Sequence, residues 1–98
     1  MYDWVNQSNP KIIGVNIAYR LNVLGFLSSS EVQADGNANA GLLDQRAALE
    51  WVQRHISKFG GDPDTVTIAG ESAGGASVVM QIVAYGGKHA TPYPQLDQ

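Results

Sequence analysis

Apolar residues fall into two kinds of pattern along this chain. The run Ile12 to Tyr19 (Ile-Ile-Gly-Val-Asn-Ile-Ala-Tyr) is mostly apolar on both faces that a two-residue period would separate, which predicts a parallel strand covered by helices on each side. Leu24-Gly25-Phe26-Leu27 reads as a short apolar continuation, and Ser28 to Ala40, rich in Ser, Asn, Gly and Asp, as a loop. Leu42 to Phe59 carries the helical period instead. Ala48, Leu49, Trp51, Val52, Ile56 and Phe59 share one broad face, and Arg46, Glu50, Gln53, Arg54 and Ser57 share the other. Arg46-Glu50 and Glu50-Arg54 are spaced i,i+4, which predicts a solvated ladder worth roughly a few tenths of a kcal/mol per pair.

Gly60 and Gly61 end that helix, and Asp62-Pro63-Asp64 turns the chain into Thr65-Val66-Thr67-Ile68-Ala69, a β-branched apolar run that predicts a second buried strand. Ala73 to Tyr85 can continue as a second helix. The expected order is strand, helix, strand, helix, a βαβα unit of the α/β class with parallel central strands. Residues 1–87 are read as one partial α/β domain and residues 88–98, with two prolines and little apolar periodicity, as a flexible tail.

Composition narrows the classes. A 98-residue chain with 44% hydrophobic and 15% charged residues is ordinary for one small globular domain. Its net charge of -3 leaves no basic footprint, so nucleic acid is not an expected partner. Cysteine is absent, which excludes a disulfide framework and thiolate metal sites; no metal or cofactor is expected. No stretch approaches the roughly 20 apolar residues of a membrane span, and Met1 to Gln7 lacks the basic and apolar regions of a signal peptide. Composition fixes neither compartment nor oligomeric state.

The candidate chemistry sits between the second strand and second helix, at Gly70-Glu71-Ser72-Ala73-Gly74. A serine flanked by two glycines at a strand-to-helix turn is how a nucleophile is mounted above a sheet edge, with the following amide, that of Ala73, aimed where an oxyanion forms. The glycines Gly70 and Gly74 are read as supplying the room for the turn. A bare G-x-S-x-G arises by chance with a probability on the order of a tenth at these glycine and serine frequencies, so the expected strand and helix on either side carry the argument. The competing reading is a plain turn whose serine caps the helix. A phosphate cradle fits less well, because no Lys follows the glycines and Glu71 brings negative charge to the turn.

A serine hydroxyl needs a base, normally histidine. His89 lies beyond the second helix, about 20 Å from Ser72 at 1.5 Å per residue. His55 closes the first long helix at the opposite end of the sheet. Neither reaches Ser72, so His55 is read as structural and His89 as a solvated tail residue. Asp44 opens the same helix and is read as serving the helix dipole or a buried pair with Arg20, in preference to a catalytic role. Trp51 and Phe59 sit at core spacing.

Several longer segments carry a resemblance: Asn16 to Leu21, Gly25-Phe26-Leu27, Asn39 to Val52, Phe59 to Pro63 and Val66 to Val78. Together they resemble the type-B carboxylesterase/lipase family, which includes the cholinesterases, and Met80 to Gly87 looks most like its fungal members. The resemblance covers about residues 12–87. It implies an α/β-hydrolase fold and hydrolysis of carboxylic esters, small-molecule or lipid, through an acyl-enzyme. It also implies Ser72 as nucleophile, Ala73 as an oxyanion-hole amide and Glu71 as an acidic neighbour that shapes the field. Members are often secreted. The family's glycine-rich oxyanion segment is expected upstream of residue 1, and its acid and histidine downstream of residue 98, so the chain is read as an internal piece that does not turn over substrate alone. The alternative is a non-catalytic, cholinesterase-like adhesion domain; such members generally lose the serine that stands here at position 72. Two or three strands would leave open sheet edges and an uncovered apolar face, which predicts marginal stability or aggregation for the isolated chain.

Overall fold

A computed structural model describes residues 1–87. Five α-helices follow in chain order: α1 (Tyr2–Gln7), α2 (Asn22–Phe26), α3 (Ser30–Asp35), α4 (Ala40–His55) and α5 (Ala73–Val83). A short 3₁₀ segment extends α4 over Ile56–Phe59, whereas after α5 the stretch Ala84–Gly87 leaves the right-handed helix, with Tyr85 and Gly86 at φ 53° and 67°. The expected tail, with His89, lies outside the described residues.

The strong helical period is realised almost as read, with α4 and its 3₁₀ extension covering the predicted span and two more residues at the start. Its end follows from glycine chemistry. Gly60 takes a left-handed conformation at φ 83°. Its N–H then reaches the Ser57 carbonyl at 3.1 Å, and the Gly61 N–H the Ile56 carbonyl at 3.1 Å, the paired bonds of a Schellman ending. Asp62 next folds the chain back by accepting from the Asp64 N–H at 2.9 Å and the Thr65 hydroxyl at 3.0 Å. Gln53 ties that turn to α4 through the Pro63 carbonyl at 3.0 Å.

The strands are not present among the described residues. Neither Ile12 to Tyr19 nor Thr65 to Ala69 forms a ladder, and no backbone hydrogen bond joins the two segments. A helix closes its hydrogen bonds within itself, whereas a strand exists only through a neighbour. The expected strand-helix alternation is therefore corrected to helices separated by irregular apolar segments. Leu24 to Leu27, expected to continue the first strand, lies largely in α2, and the expected loop from Ser28 to Ala40 contains α3. Ser29 starts α3 as an ordinary N-cap, at φ -151° and ψ 172°, its hydroxyl accepting from the Val32 N–H at 3.2 Å.

Apolar burial is slight. Val52 on α4 and Ile56 at the start of its 3₁₀ extension are the buried hydrophobic residues among those described. Trp51 and Phe59 share a face with them in the sequence reading yet are 43% and 63% exposed. They meet instead along the surface as tilted rings, with centroids 5.9 Å apart and the Trp51 ring 5.1 Å from that of His55. Ile12, Ile13 and Val15 are also exposed, as are Val79, Met80, Ile82 and Val83 on α5. Segments patterned for two-sided cover thus carry little of it.

Candidate functional site

Ser72 occupies the N-cap position of α5 with φ 53° and ψ -118°. A non-glycine residue rarely enters this region, which costs on the order of 1–3 kcal/mol and belongs to the first corner of a type II′ turn. The turn is closed by the Gly74 N–H on the Glu71 carbonyl at 2.9 Å, and the Ser72 carbonyl takes the Ala76 N–H at 3.1 Å to launch the helix. The hydroxyl makes no capping hydrogen bond. Ser29 and Ser72 therefore occupy the same helical position in opposite ways: one relaxed and capping, the other strained and exposed, with no bond to its hydroxyl among the described residues.

The glycines divide unequally. A Cβ at Gly70 would overlap the carbonyl of Gly74 and the nitrogen of Gly75, so the chain can fold back onto the first turn of α5 only with hydrogen at that position. A Cβ at Gly74 would meet nothing within 4 Å, whereas one at Gly75 would come within 3.3 Å of the Gly70 oxygen. Within these residues the close approach joins Gly70 to Gly75. The expectation that Gly74 supplies the room is corrected accordingly, and Gly75 is the member that the motif's spacing did not single out.

Among the described residues no hydrogen bond engages the Ala73 N–H, so this amide at the head of α5 stays available beside the serine. Glu71 is exposed at the opening of the same turn. His55 lies against Trp51 at the far end of α4. No cluster of three or more His, Cys, Asp or Glu side chains is placed to hold a metal ion among the described residues. No helix there is long and apolar enough to cross a membrane.

Asp44 proves to be bound to Arg20. The guanidinium donates to its two carboxylate oxygens at 2.7 and 2.8 Å, and the Arg20 backbone N–H adds a third bond at 3.0 Å. These donors hold the Asp44 carboxyl down at about 2, the side-chain hydrogen bond contributing most, and the same bond raises Arg20. The pair is partly exposed, not buried, and it fastens the chain before α2 to the first turns of α4. Glu50 and Arg54 make the looser i,i+4 contact at 3.9 Å. Arg46 turns toward α5, with its guanidinium 4.9 Å above the Tyr85 ring. A groove of about 300 Å³ opens between Asn39, Leu42, Arg46, Met80 and Tyr85, and Ser72 is not part of its lining.

Comparison with known proteins adds a second line of observation. The family model described as "Carboxylesterase family" matches residues 4–90. The chain is 56% identical over 86 residues to carboxylesterase patB of Penicillium expansum, a match covering 87% of the chain and 15% of that relative. It is 53% identical over 83 residues to lipase 2 of Geotrichum candidum, covering 85% of the chain and 15% of the relative. The secreted triacylglycerol lipase LIP1 of Gibberella zeae is likewise 53% identical over 83 residues, 85% of the chain and 14% of the relative. The chain thus spans about 15% of the length of these curated relatives.

Proposed function

Since this chain belongs to the carboxylesterase family, which implies an α/β-hydrolase fold, we propose that the protein carrying it hydrolyses carboxylic esters and that Ser72 is the residue acylated. In this reading the Ser72 hydroxyl attacks the ester carbonyl carbon and gives its proton to a base. The carbonyl oxygen takes up negative charge against the Ala73 N–H, the alcohol leaves, and water releases the acid from the acyl-enzyme. Glu71 sets negative charge beside the turn, which favours the imidazolium that forms when a histidine base takes the proton. Gly70 and Gly74 belong to the same elbow.

One observation supports the assignment above the others. Ser72 is held in a costly backbone conformation while its hydroxyl does nothing for the helix it precedes. A serine kept only as a cap would look like Ser29, relaxed and bonded to the helix N-terminus. Backbone strain of this kind clusters at functional positions, and it supports the reading of Ser72 as one.

The relatives named lipase and carboxylesterase make ester or lipid substrates the class to test. In this reading the base and the second oxyanion donor come from residues other than these, and His55, packed against Trp51 at the C-terminal end of α4, keeps a structural role. The 98-residue stretch by itself is therefore expected to show no turnover. A fluorophosphonate probe should label the full-length protein at Ser72 and leave the Ser72→Ala variant unlabelled. Absence of labelling in the wild-type protein would sink the proposal.

A further inference from the structure

The buried polar side chains among the described residues are Gln45 and Gln81, 6% and 5% exposed, and they meet in the seam between α4 and α5. Gln81 Nε2 donates to the Leu42 carbonyl at 2.8 Å and to Gln45 Oε1 at 3.3 Å. Gln45 Nε2 donates in turn to Ser77 Oγ at 3.1 Å. Arg46 adds a longer bond, 3.4 Å, to the Gln81 carbonyl. No buried side-chain nitrogen or oxygen among the described residues lacks a partner.

This seam has a position that matters. Ser72 sits at the very start of α5, and the first turn of that helix, Ala73-Gly74-Gly75-Ala76, has no side chain long enough to grip a neighbour. Ser77 and then Gln81 follow at i,i+4 on one face, so they are the first grips the helix has after the serine. Apolar contact is non-directional and lets a helix rotate about its axis, whereas amide hydrogen bonds weaken steeply with angle and resist that rotation. A side-chain atom about 4 Å from a helix axis moves about 1 Å for each 15° of rotation, and a misplacement of about that size can cost on the order of a hundredfold in rate.

We propose that Gln45 and Gln81 are positioning residues for Ser72: their amide network fixes the rotation and register of α5 and so places the Ser72 hydroxyl and the Ala73 N–H against the ester carbonyl. The inference rests on Ser72 being the acylated residue. The two ideas fail in different ways. If wild-type protein is never labelled at Ser72, both fall, because no acylation step remains to be positioned; if wild-type and network variants are labelled equally fast, only the positioning role falls.

The test is the rate of phosphonylation in full-length protein by a fluorophosphonate, in which the Ser72 Oγ–P bond forms as the P–F bond breaks, fluoride leaves with the electron pair, and the hydroxyl proton goes to the base. Saturation kinetics separates probe binding from this step. The Gln45→Met/Gln81→Met double variant keeps side-chain volume and strands little: Leu42 O retains the partner of its own helix, and Ser77 can turn to a carbonyl one turn back. Its phosphonylation rate constant should fall about tenfold or more, with binding of the probe changed less than twofold. Val52→Ala, which opens a cavity on the same helix two turns from Gln45, should lower the melting temperature and leave that rate constant unchanged. A double variant within twofold of wild type in the rate constant would overturn the proposal, as would a Val52→Ala variant slowed as much as the double variant. Should the double variant not fold, Ser77→Ala decides: a rate constant lowered threefold or more supports the network, and an unchanged one overturns it.

Discussion

Replacing Ser72 with glycine should make the protein more stable while abolishing hydrolysis. At φ 53° and ψ -118° the serine Cβ is in a region that glycine enters freely, so the substitution removes strain on the order of 1–3 kcal/mol. Glycine also loses more backbone freedom on folding, which takes back about 0.5–1 kcal/mol. The middle of those two ranges leaves a gain of about 1 kcal/mol. Ser72→Ala is the necessary comparison, because it removes the same hydroxyl and keeps the Cβ. The hydroxyl makes no capping bond, so the alanine variant should stay within about 0.5 kcal/mol of wild type. Unfolding rates of the three full-length proteins in the same urea concentration would read the difference. A gain of that size expressed in the unfolding barrier slows the glycine variant by about 5- to 10-fold relative to alanine. Equal rates for Ser72→Gly and Ser72→Ala would refute the claim that the elbow stores strain.

Other outcomes follow from neighbouring features. Ser29→Ala should cost about 1 kcal/mol by removing the cap bond to Val32, measurable by urea denaturation, although Ser72→Ala at the equivalent position of another helix should not. Gly70→Ala should abolish probe labelling at Ser72 without preventing expression, since its Cβ collides with the first turn of α5; labelling at the wild-type rate would argue against the close approach described. Asp44→Asn should destabilise the protein at neutral pH but not in strong acid. The folded-state pKa of Asp44 lies at about 2, below the ordinary value of about 3.9, so the stabilisation is complete above the ordinary value and is lost as pH falls through the folded one. The gap in melting temperature between variant and wild type should therefore close between about pH 4 and pH 2.

The features legible in the sequence are those whose causes are local. α4 could be read because its apolar period, its glycine ending and the Asp62 turn all lie within a few residues of what they determine. The Arg20-Asp44 pair could be anticipated because Asp44 stands at a helix start, although its exposure could not. Ile12 to Tyr19 and Thr65 to Ala69 could not be settled that way. Their patterns describe a buried strand, but strand formation depends on a neighbour that a local pattern does not contain, and here the two segments do not bond to each other. α3 was hidden because Ser, Asp and Gly around it carry loop signals, even though Ser29 caps it. Around the candidate site, the motif directed attention to Gly70 and Gly74; only contact with the backbone distinguishes Gly70 and Gly75 as the tight pair. Gln45 and Gln81 gave no signal, since glutamine on a helix is ordinarily a surface residue and only the crossing of α4 with α5 buries it.

The seam between those helices also has a thermal consequence. Exposing hydrocarbon on unfolding raises heat capacity and makes hydrophobic cohesion fade on cooling, whereas exposing amide groups lowers it. A junction held by Gln45, Ser77 and Gln81 therefore loses less of its grip in the cold than one held by leucines and valines. The alignment of α5 should drift little between refrigerated and warm conditions even where the surrounding apolar contacts loosen.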